Sequence, residues 1–137
     1  MALRIDLTFD CVDAVKLAEF WKLALGYEDE PPPAPFATRA EWAASVGPPA
    51  ADEGGGAWLR DPEGLGPRLC LLDVPEPKVA KNRLHIDVRV GKSDDSWPRI
   101  MAKSAVLVAA GAAVVATFDG HHIVMVDPEG NEFCVAA

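Results

Sequence analysis

One tetrapeptide occurs twice in the chain, and this repeat constrains the fold more than any other feature. Asp61-Pro62-Glu63-Gly64 recurs as Asp127-Pro128-Glu129-Gly130, 66 positions (127 − 61) later. Asp-Pro commonly begins a turn, and glycine accepts the positive φ that a tight hairpin needs. Residues 58–60 and 124–126 precede the two copies, and an apolar segment follows each copy, at residues 69–72 and 133–135. The repeat therefore predicts two equivalent strand-turn-strand hairpins.

The segments upstream of each hairpin also match. Residues 4–10 and 83–89 alternate apolar and polar side chains, as a half-buried strand does. A helix is predicted after each strand: Asp13 caps one that ends at Gly26, and Ser93 or Asp94 caps one that ends at Gly111. The apolar stripe of the second helix comprises Trp97, Ile100, Met101, Ser104, Leu107 and Val108. The sequence thus predicts an α+β fold of two tandem βαβββ modules.

The first half is longer than the second between its opening strand and its turn, and the surplus lies in a Pro- and Gly-rich stretch at residues 31–56. This stretch is interpreted as an inserted flap. The segment from Thr38 to Glu41 has a capping-box pattern, which predicts a short helix that carries Trp42. Trp42, Trp58 and Phe36 either form an aromatic lid over an apolar ligand or pack as an ordinary loop.

Composition excludes several classes of protein. The chain has 137 residues, half of them hydrophobic, and no apolar run approaches the roughly 18 residues of a membrane span. Its net charge of −8 disfavours nucleic-acid binding. Three widely spaced cysteines without a CxxC pair disfavour a disulfide framework. We expect a cytoplasmic protein with neither a membrane nor a nucleic-acid partner.

Three motifs together resemble a known family: FWKLALGY at 20–27, PEPKVAKNRLHID at 75–87 and DPEGNEFCV at 127–135. They are similar to the glyoxalase-like domains of the vicinal-oxygen-chelate (glyoxalase/bleomycin resistance/dioxygenase) superfamily. The resemblance implies a single domain over residues 1–137, with modules at about 3–74 and 83–137 and a linker at 75–82. Its sheets would curl into an incomplete mixed β-barrel, with helices outside and a small-molecule ligand in the cavity between the modules, commonly in a homodimer.

The opening strands have one apolar and one polar face. We expect the apolar set to pack beneath the helices: Leu3, Ile5, Leu7, Phe9, Leu84, Ile86, Val88 and Val90. The polar set would face the cavity: Arg4, Asp6, Thr8, Asp10, Arg83, His85, Asp87 and Arg89. Because this set brings three arginines (Arg4, Arg83 and Arg89) against three aspartates (Asp6, Asp10 and Asp87), their charges should be largely paired. Such a site suits a neutral or mildly polar organic molecule.

The resemblance places Asp6 and His85 at the first-strand ligand positions of metal-dependent relatives. The last strands depart from the family, because Cys134 stands where a glutamate is expected and the first half offers Cys70 or Leu72. Asp6, Cys70, His85 and Cys134 are an acceptable zinc set. Alternatively, the cysteines are small apolar core residues and His85 is a hydrogen-bonded strand histidine. We expect no cofactor, with a divalent metal as the alternative.

Two functions remain open. The first is a lyase, isomerase or ring-opening dioxygenase with His85 as base or ligand and with Asp6 and Asp87 as further catalytic residues. Without a complete ligand set, glyoxalase I activity is disfavoured. The second is a metal-free protein that sequesters a drug-like ligand without turnover. For both, the predicted ligand-binding residues are Arg83, Arg89, Thr8, Trp42, Trp58 and Cys134.

Two further groups have open interpretations. The Asn82-Arg83 pair either clamps an anionic group or ties the linker between the modules. His121 and His122 precede a strand, and we expect only one of them to enter the cavity because adjacent strand residues point to opposite faces.

Overall fold

The computed structural model describes residues 1–47 and 55–137. Part of the predicted flap, residues 48–54, lies outside the described residues. The chain divides into two compact units, one of residues 1–18 and 26–77 and one of residues 19–25 and 78–137. No described helix combines the length and the apolar composition needed to cross a membrane.

The first half of the chain contains β1 (Asp6–Cys11), α1 (Ala14–Leu25), β2 (Glu28–Asp29), α2 (Arg39–Val46), β3 (Gly56–Arg60) and β4 (Arg68–Asp73). The second half contains β5 (Ile86–Arg89), α3 (Ser96–Ala109), β6 (Ala113–Phe118), β7 (His122–Val126) and β8 (Glu132–Ala136).

Each half forms its own four-stranded mixed sheet. The strand order is β1-β4-β3-β2 in the first sheet and β5-β8-β7-β6 in the second. In both, the opening strand pairs parallel with the last strand, and the other pairs are antiparallel. Neither sheet closes on itself within the described strands. The predicted α+β class and the two βαβββ modules are confirmed.

The two DPEG segments form equivalent turns between paired strands. The Gly64 amide donates to the Asp61 carbonyl at 3.0 Å, and the Gly130 amide donates to the Asp127 carbonyl at 2.9 Å. Both glycines have positive φ, +70° and +85°, which side chains with a Cβ rarely adopt. The prediction of two hairpins is therefore confirmed.

Helix α1 begins and ends as its sequence predicts. The Asp13 carboxylate accepts the Lys16 amide at 3.0 Å, and the chain leaves the helix through Gly26 at φ +71°. The helix contributes buried residues to both units: Ala14, Leu17 and Ala18 to the first, and Phe20, Trp21 and Ala24 to the second. In the second unit Phe20 and Trp21 pack edge-to-face on Phe133 of β8, with ring centroids 5.8 and 5.3 Å apart.

The opening strands begin later than predicted, and this corrects part of the expected core. Leu3, Ile5 and Leu84 are 91%, 68% and 60% exposed. Pairing with the last strand of each sheet begins only at Asp6 and at Ile86. Residues before these points have no neighbouring strand to cover them, so they do not pack beneath a helix.

The predictions for α3 also need correction. Its N-cap is Asp95 rather than Ser93 or Asp94, and the Asp95 side chain makes no capping hydrogen bond. The buried stripe is narrower than expected and comprises Ile100, Ser104 and Leu107. Met101 and Val108, which the stripe was expected to include, are 45% and 46% exposed. They lie to one side of an i, i+4, i+7 face, where the sheet does not cover them.

Candidate functional site

One face of the first sheet is apolar and buried, and the other carries polar and aromatic side chains. Leu59, Leu69 and Leu71 lie on the buried face. We call the other face the first open face; it includes Asp6, Thr8, Asp10, Trp58, Arg68 and Cys70. Thr8, Cys70 and Trp58 lie side by side across β1, β4 and β3. The predicted ligand-binding residues Thr8 and Trp58 are thus brought to one row, with Cys70 between them.

Helix α2 adds a second tryptophan to the first open face. Thr38 and Glu41 form the predicted capping box, which confirms the short helix that carries Trp42. The Trp42 and Trp58 rings meet edge-to-face with centroids 5.9 Å apart. The Arg39 guanidinium lies 4.5 Å from the Trp58 centroid and 5.1 Å from the Trp42 centroid, within cation–π range. None of the α2 residues is buried, so these contacts account for much of its attachment.

A chain of ion pairs runs beside the two tryptophans. The Glu30 carboxylate accepts from Arg39 at 3.2 Å and from Arg68 at 2.8 Å. Arg68 lies 3.7 Å from the Asp6 carboxylate. The partner expected for Asp6 was an arginine of the opening strands, such as Arg4. The partner is Arg68 instead, because the residue opposite Asp6 in the sheet register is on β4.

Cys70 is a neutral thiol in this setting. Burial raises its pKa above the ordinary value of 9.0, and the charge of Glu30 raises it further, although Arg68 and Arg39 act in the opposite direction. A protonated thiol is a weak nucleophile and a poor metal ligand. Cys70 therefore contributes a small, polarisable contact surface between Thr8 and Trp58.

The open face of the second sheet has the same register but different side chains. Asp87, Cys134 and Val124 lie side by side across β5, β8 and β7. The Asp87 carboxylate accepts from Arg89 at 3.1 Å. Burial, and next the Asp87 charge, raise the pKa of Cys134 above 9.0. Here two of the expected polar groups pair with each other, and the thiol is again protonated.

His85 lies one residue before β5 and does not share a hydrogen bond with Asp87. Its Nε2 lies 2.7 Å from Lys81 Nζ and 3.2 Å from the Asn82 carbonyl oxygen. The Lys81 ammonium can only donate to Nε2 and the Asn82 carbonyl can only accept from it, so a given tautomer of the ring makes one of these hydrogen bonds and not both. His85 contacts Lys81 and Asn82. Asp87 contacts Arg89 instead.

A cleft of about 470 Å³ lies beside His85, and its lining residues are Lys81, Asn82, Arg83 and His85. We call it the basic cleft. Glu132 of β8 fixes its loop, accepting from the Asn82 amide at 3.0 Å and from Lys78 Nζ at 3.2 Å. The Asn82 amide, and with it Lys78, lowers the pKa of the half-buried Glu132 carboxyl to about 2. The carboxylate is therefore ionised throughout the physiological range.

The expectation that only one of the paired histidines enters the cavity stays a prediction, but its premise that they are neighbours on one strand is not met. His121 lies in the turn before β7, so it does not alternate with His122 as a strand neighbour would. The two Nδ1 atoms lie 2.6 Å apart, and His122 stacks on Phe118 with centroids 4.5 Å apart. The two rings contact each other instead of pointing to opposite faces.

The predicted metal ligands were tested by their chemistry. Within the described ranges, no group of three or more His, Cys, Asp or Glu side chains is arranged to hold a metal ion. In the first unit Asp6 faces Arg68, and the Cys70 thiol is held protonated. In the second unit Nε2 of His85 faces an ammonium group, and the Cys134 thiol is likewise protonated. The Arg68 and Lys81 cations beside Asp6 and His85 oppose a divalent ion at these positions, and the zinc set stays a prediction.

The sequence analysis missed several residues of these sites. Arg68 and Glu30 were not singled out, although alternation along β4 places Arg68 on the same face as Cys70. Arg39 was noted only as part of a capping pattern. No sequence signal brings Glu30, Arg39 and Arg68 together, because they come from three separate elements. Lys81 was predicted only as part of the linker at residues 75–82.

Comparison with solved structures supports the fold. A fosfomycin resistance protein, FosX, from Listeria monocytogenes, complexed with Mn(II) and 1S,2S-dihydroxypropylphosphonic acid, is 11% identical, with TM-score 0.64 over 100% of this chain and 92% of that chain. A possible glyoxalase from Bacillus cereus is 17% identical, with TM-score 0.64 over 99% and 100%. A glyoxalase/bleomycin resistance protein/dioxygenase family enzyme from Burkholderia phytofirmans PsJN is 13% identical, with TM-score 0.64 over 97% of both chains.

No curated protein sequence matches the chain. The family model of the glyoxalase-like domain matches residues 6–136, nearly the whole length. The two βαβββ modules, the paired DPEG turns and this match agree with one another. The chain belongs to the glyoxalase-like domain family.

Proposed function

We propose that this protein binds a small organic molecule on the first open face and holds it without turnover. The proposal rests on the cluster of Trp58, Arg39 and Trp42. This cluster lies beside the row of Thr8 and Cys70. Two half-buried indoles offer a large apolar contact area at a low entropic cost. The FosX neighbour, which binds a small organic acid, supports a small-molecule ligand for this fold.

The charges beside the tryptophans favour a neutral or mildly polar ligand. Arg39 and Arg68 share the Glu30 carboxylate, and Arg68 also lies near Asp6. With these charges paired, affinity would come chiefly from the aromatic surface, and the Thr8 hydroxyl would orient the ligand. Binding at this face should therefore depend only weakly on salt.

Sequestration is favoured over catalysis because two of the three candidate catalytic groups, Asp6 and Asp87, are engaged in ion pairs. Asp6 and Asp87 are each paired with an arginine. Cys70 and Cys134 are protonated thiols. Because the arginines beside Asp6 and Asp87 oppose a cation at these carboxylates, we propose that the protein works without a resident metal ion. The homodimer that the family resemblance implies also stays a prediction.

A second candidate function is an enzyme that uses His85 as a general base. It is favoured by the place of the His85 ring in the wall of the basic cleft, where a substrate can reach it. In that case the Nε2 lone pair would have to be released from Lys81 before it accepts a substrate proton. The reaction would belong to lyase, isomerase or ring-opening chemistry.

A thermal-shift screen of small metabolites and antibiotics tests the proposal. Compounds that raise the Tm of the wild type should lose most of this effect in Trp58→Ala. They should keep it in Trp97→Ala, which removes an indole from α3 instead. Retention of the effect in Trp58→Ala would overturn the proposal. Loss in His85→Ala, together with consumption of the compound by the wild type, would establish the second candidate.

A further inference from the structure

The basic cleft has an excess of positive charge that the paired pattern of the opening strands does not predict. Arg89 pairs with Asp87 as expected. Arg83 was also expected to pair, yet it has no carboxylate within ion-pair distance among residues 1–47 and 55–137. The same holds for Lys81, whose ammonium contacts His85. In a chain of net charge −8, two such cations in one cleft call for an explanation.

We propose that the basic cleft is an oxyanion-binding site for a small carboxylate or phosphate group. The cleft is large enough for such a group, at about 470 Å³, and all four lining side chains carry nitrogen donors. Arg83 matches an oxyanion through its fork of N–H groups, and Lys81 adds a point charge. The Asn82 amide group supplies a neutral donor.

The loop that forms the cleft is held in place before any anion arrives. The Glu132 carboxylate accepts the Asn82 backbone amide, and Lys78 donates both to Glu132 and, at 2.6 Å, to the Ala80 carbonyl. Lys81 is held against the His85 ring. A loop that is already fixed loses little conformational freedom when a ligand binds, which favours affinity.

The nearby carboxylates do not neutralise the cleft. Glu132 is ionised, but its oxygens are engaged by Lys78 and by the Asn82 backbone. Asp87 is engaged by Arg89. Lys81 and Arg83 therefore keep an uncompensated charge toward the cleft, as an anion site requires. The site lies wholly in the second unit and does not depend on ligand binding at the first open face.

The test is an NMR titration of ¹⁵N-labelled protein with sodium phosphate and, separately, with sodium acetate, at constant ionic strength. Resonances of Asn82 and Arg83 should shift in a saturable way. Arg83→Gln should weaken binding about tenfold or more. Lys92→Gln removes an exposed cation outside the cleft and should leave binding unchanged. Arg83→Lys should restore part of the affinity, because it restores the charge without the fork.

The two salts also distinguish the source of the oxyanion. Tighter binding of phosphate assigns the cleft to phosphorylated ligands, and tighter binding of acetate assigns it to carboxylates. Absence of saturable shifts with both salts, or equal weakening by Arg83→Gln and Lys92→Gln, would overturn the proposal. A failed screen for the first open face would leave this result unaffected, because the probes and the variants are different.

Discussion

Trp58 in the first sheet and Val124 in the second occupy equivalent places, each beside a cysteine of the last strand. On the other side of those cysteines stand Thr8 and Asp87. The strand order and the pairing are the same, yet one row is aromatic and the other is aliphatic and charged. The buried faces are apolar in both sheets. Packing of the buried apolar faces therefore preserves the repeated backbone, while the side chains of the open faces are free to differ.

The two DPEG turns show the same division between backbone and surroundings. Asp61 is not buried and accepts the amides of Glu63, Leu65 and Gly66. Asp127 is 2% exposed; it accepts two backbone amides and the Asn131 side chain, and it also accepts the Trp21 indole N–H at 3.1 Å. The identical tetrapeptides therefore form equivalent turns, but the aspartate of the second turn is buried and bonded to the Trp21 indole in its unit, whereas that of the first is not buried.

Replacement of Asp127 should lower the free energy of unfolding more than replacement of Asp61. Asp127→Ala leaves the Trp21 indole and the Asn131 amide without their acceptor in the interior and should lower the free energy of unfolding by about 3 kcal/mol. Asp61→Ala should cause a clearly smaller loss, because water replaces the lost acceptor. Urea denaturation of both variants gives the comparison. Equal losses would show that the buried contact of Asp127 adds nothing.

A smaller effect concerns acid stability. Glu132 has its pKa lowered from 4.5 to about 2, chiefly by the Asn82 amide. A lowered pKa stabilises the folded state above pH 4.5, and this contribution is lost as the pH falls from 4.5 toward 2. Glu132 lies two residues before Cys134, and Arg68 lies two residues before Cys70 in the first sheet. The second sheet therefore has a carboxylate where the first has a cation.

The prediction is that Glu132→Gln flattens the fall of the urea midpoint between pH 4.5 and 2.5. Glu76→Gln, an exposed control on the loop before β5, should follow the wild-type curve. Parallel curves for Glu132→Gln and the wild type would contradict the assignment of this acid sensitivity to Glu132.

The smallest effect compares the two thiols. Burial raises the pKa of both Cys70 and Cys134, so alkylation by iodoacetamide at pH 7.5 should be slow at each. Trp58→Ala uncovers Cys70 and should accelerate its alkylation by roughly threefold, with Cys134 unchanged. Peptide mass spectrometry resolves the two sites. Equal acceleration at both cysteines would indicate general loosening instead of a local cover.

The sequence was sufficient for the fold and only partly for the sites. The DPEG repeat and the alternation of the opening strands predicted both modules, because turn preferences and strand periodicity are local properties. The pairing of Arg68 with Glu30 and Asp6 was not predictable, since it depends on strand register. The contact of Lys81 with His85 depends on the path of a loop. Exposure of Leu3 and Leu84 followed from where the partner strands begin, which no local pattern encodes.

The four tryptophans, Trp21, Trp42, Trp58 and Trp97, can report directly whether a ligand binds at the first open face. Each gives one indole N–H peak in a ¹H–¹⁵N spectrum. The compound that raises the Tm most in the screen is titrated into the labelled protein. Saturable shifts of the Trp42 and Trp58 peaks, with Trp21 and Trp97 unmoved, are the predicted result. Shifts confined to Trp21 or Trp97, with Trp42 and Trp58 unmoved, would contradict ligand binding at the first open face.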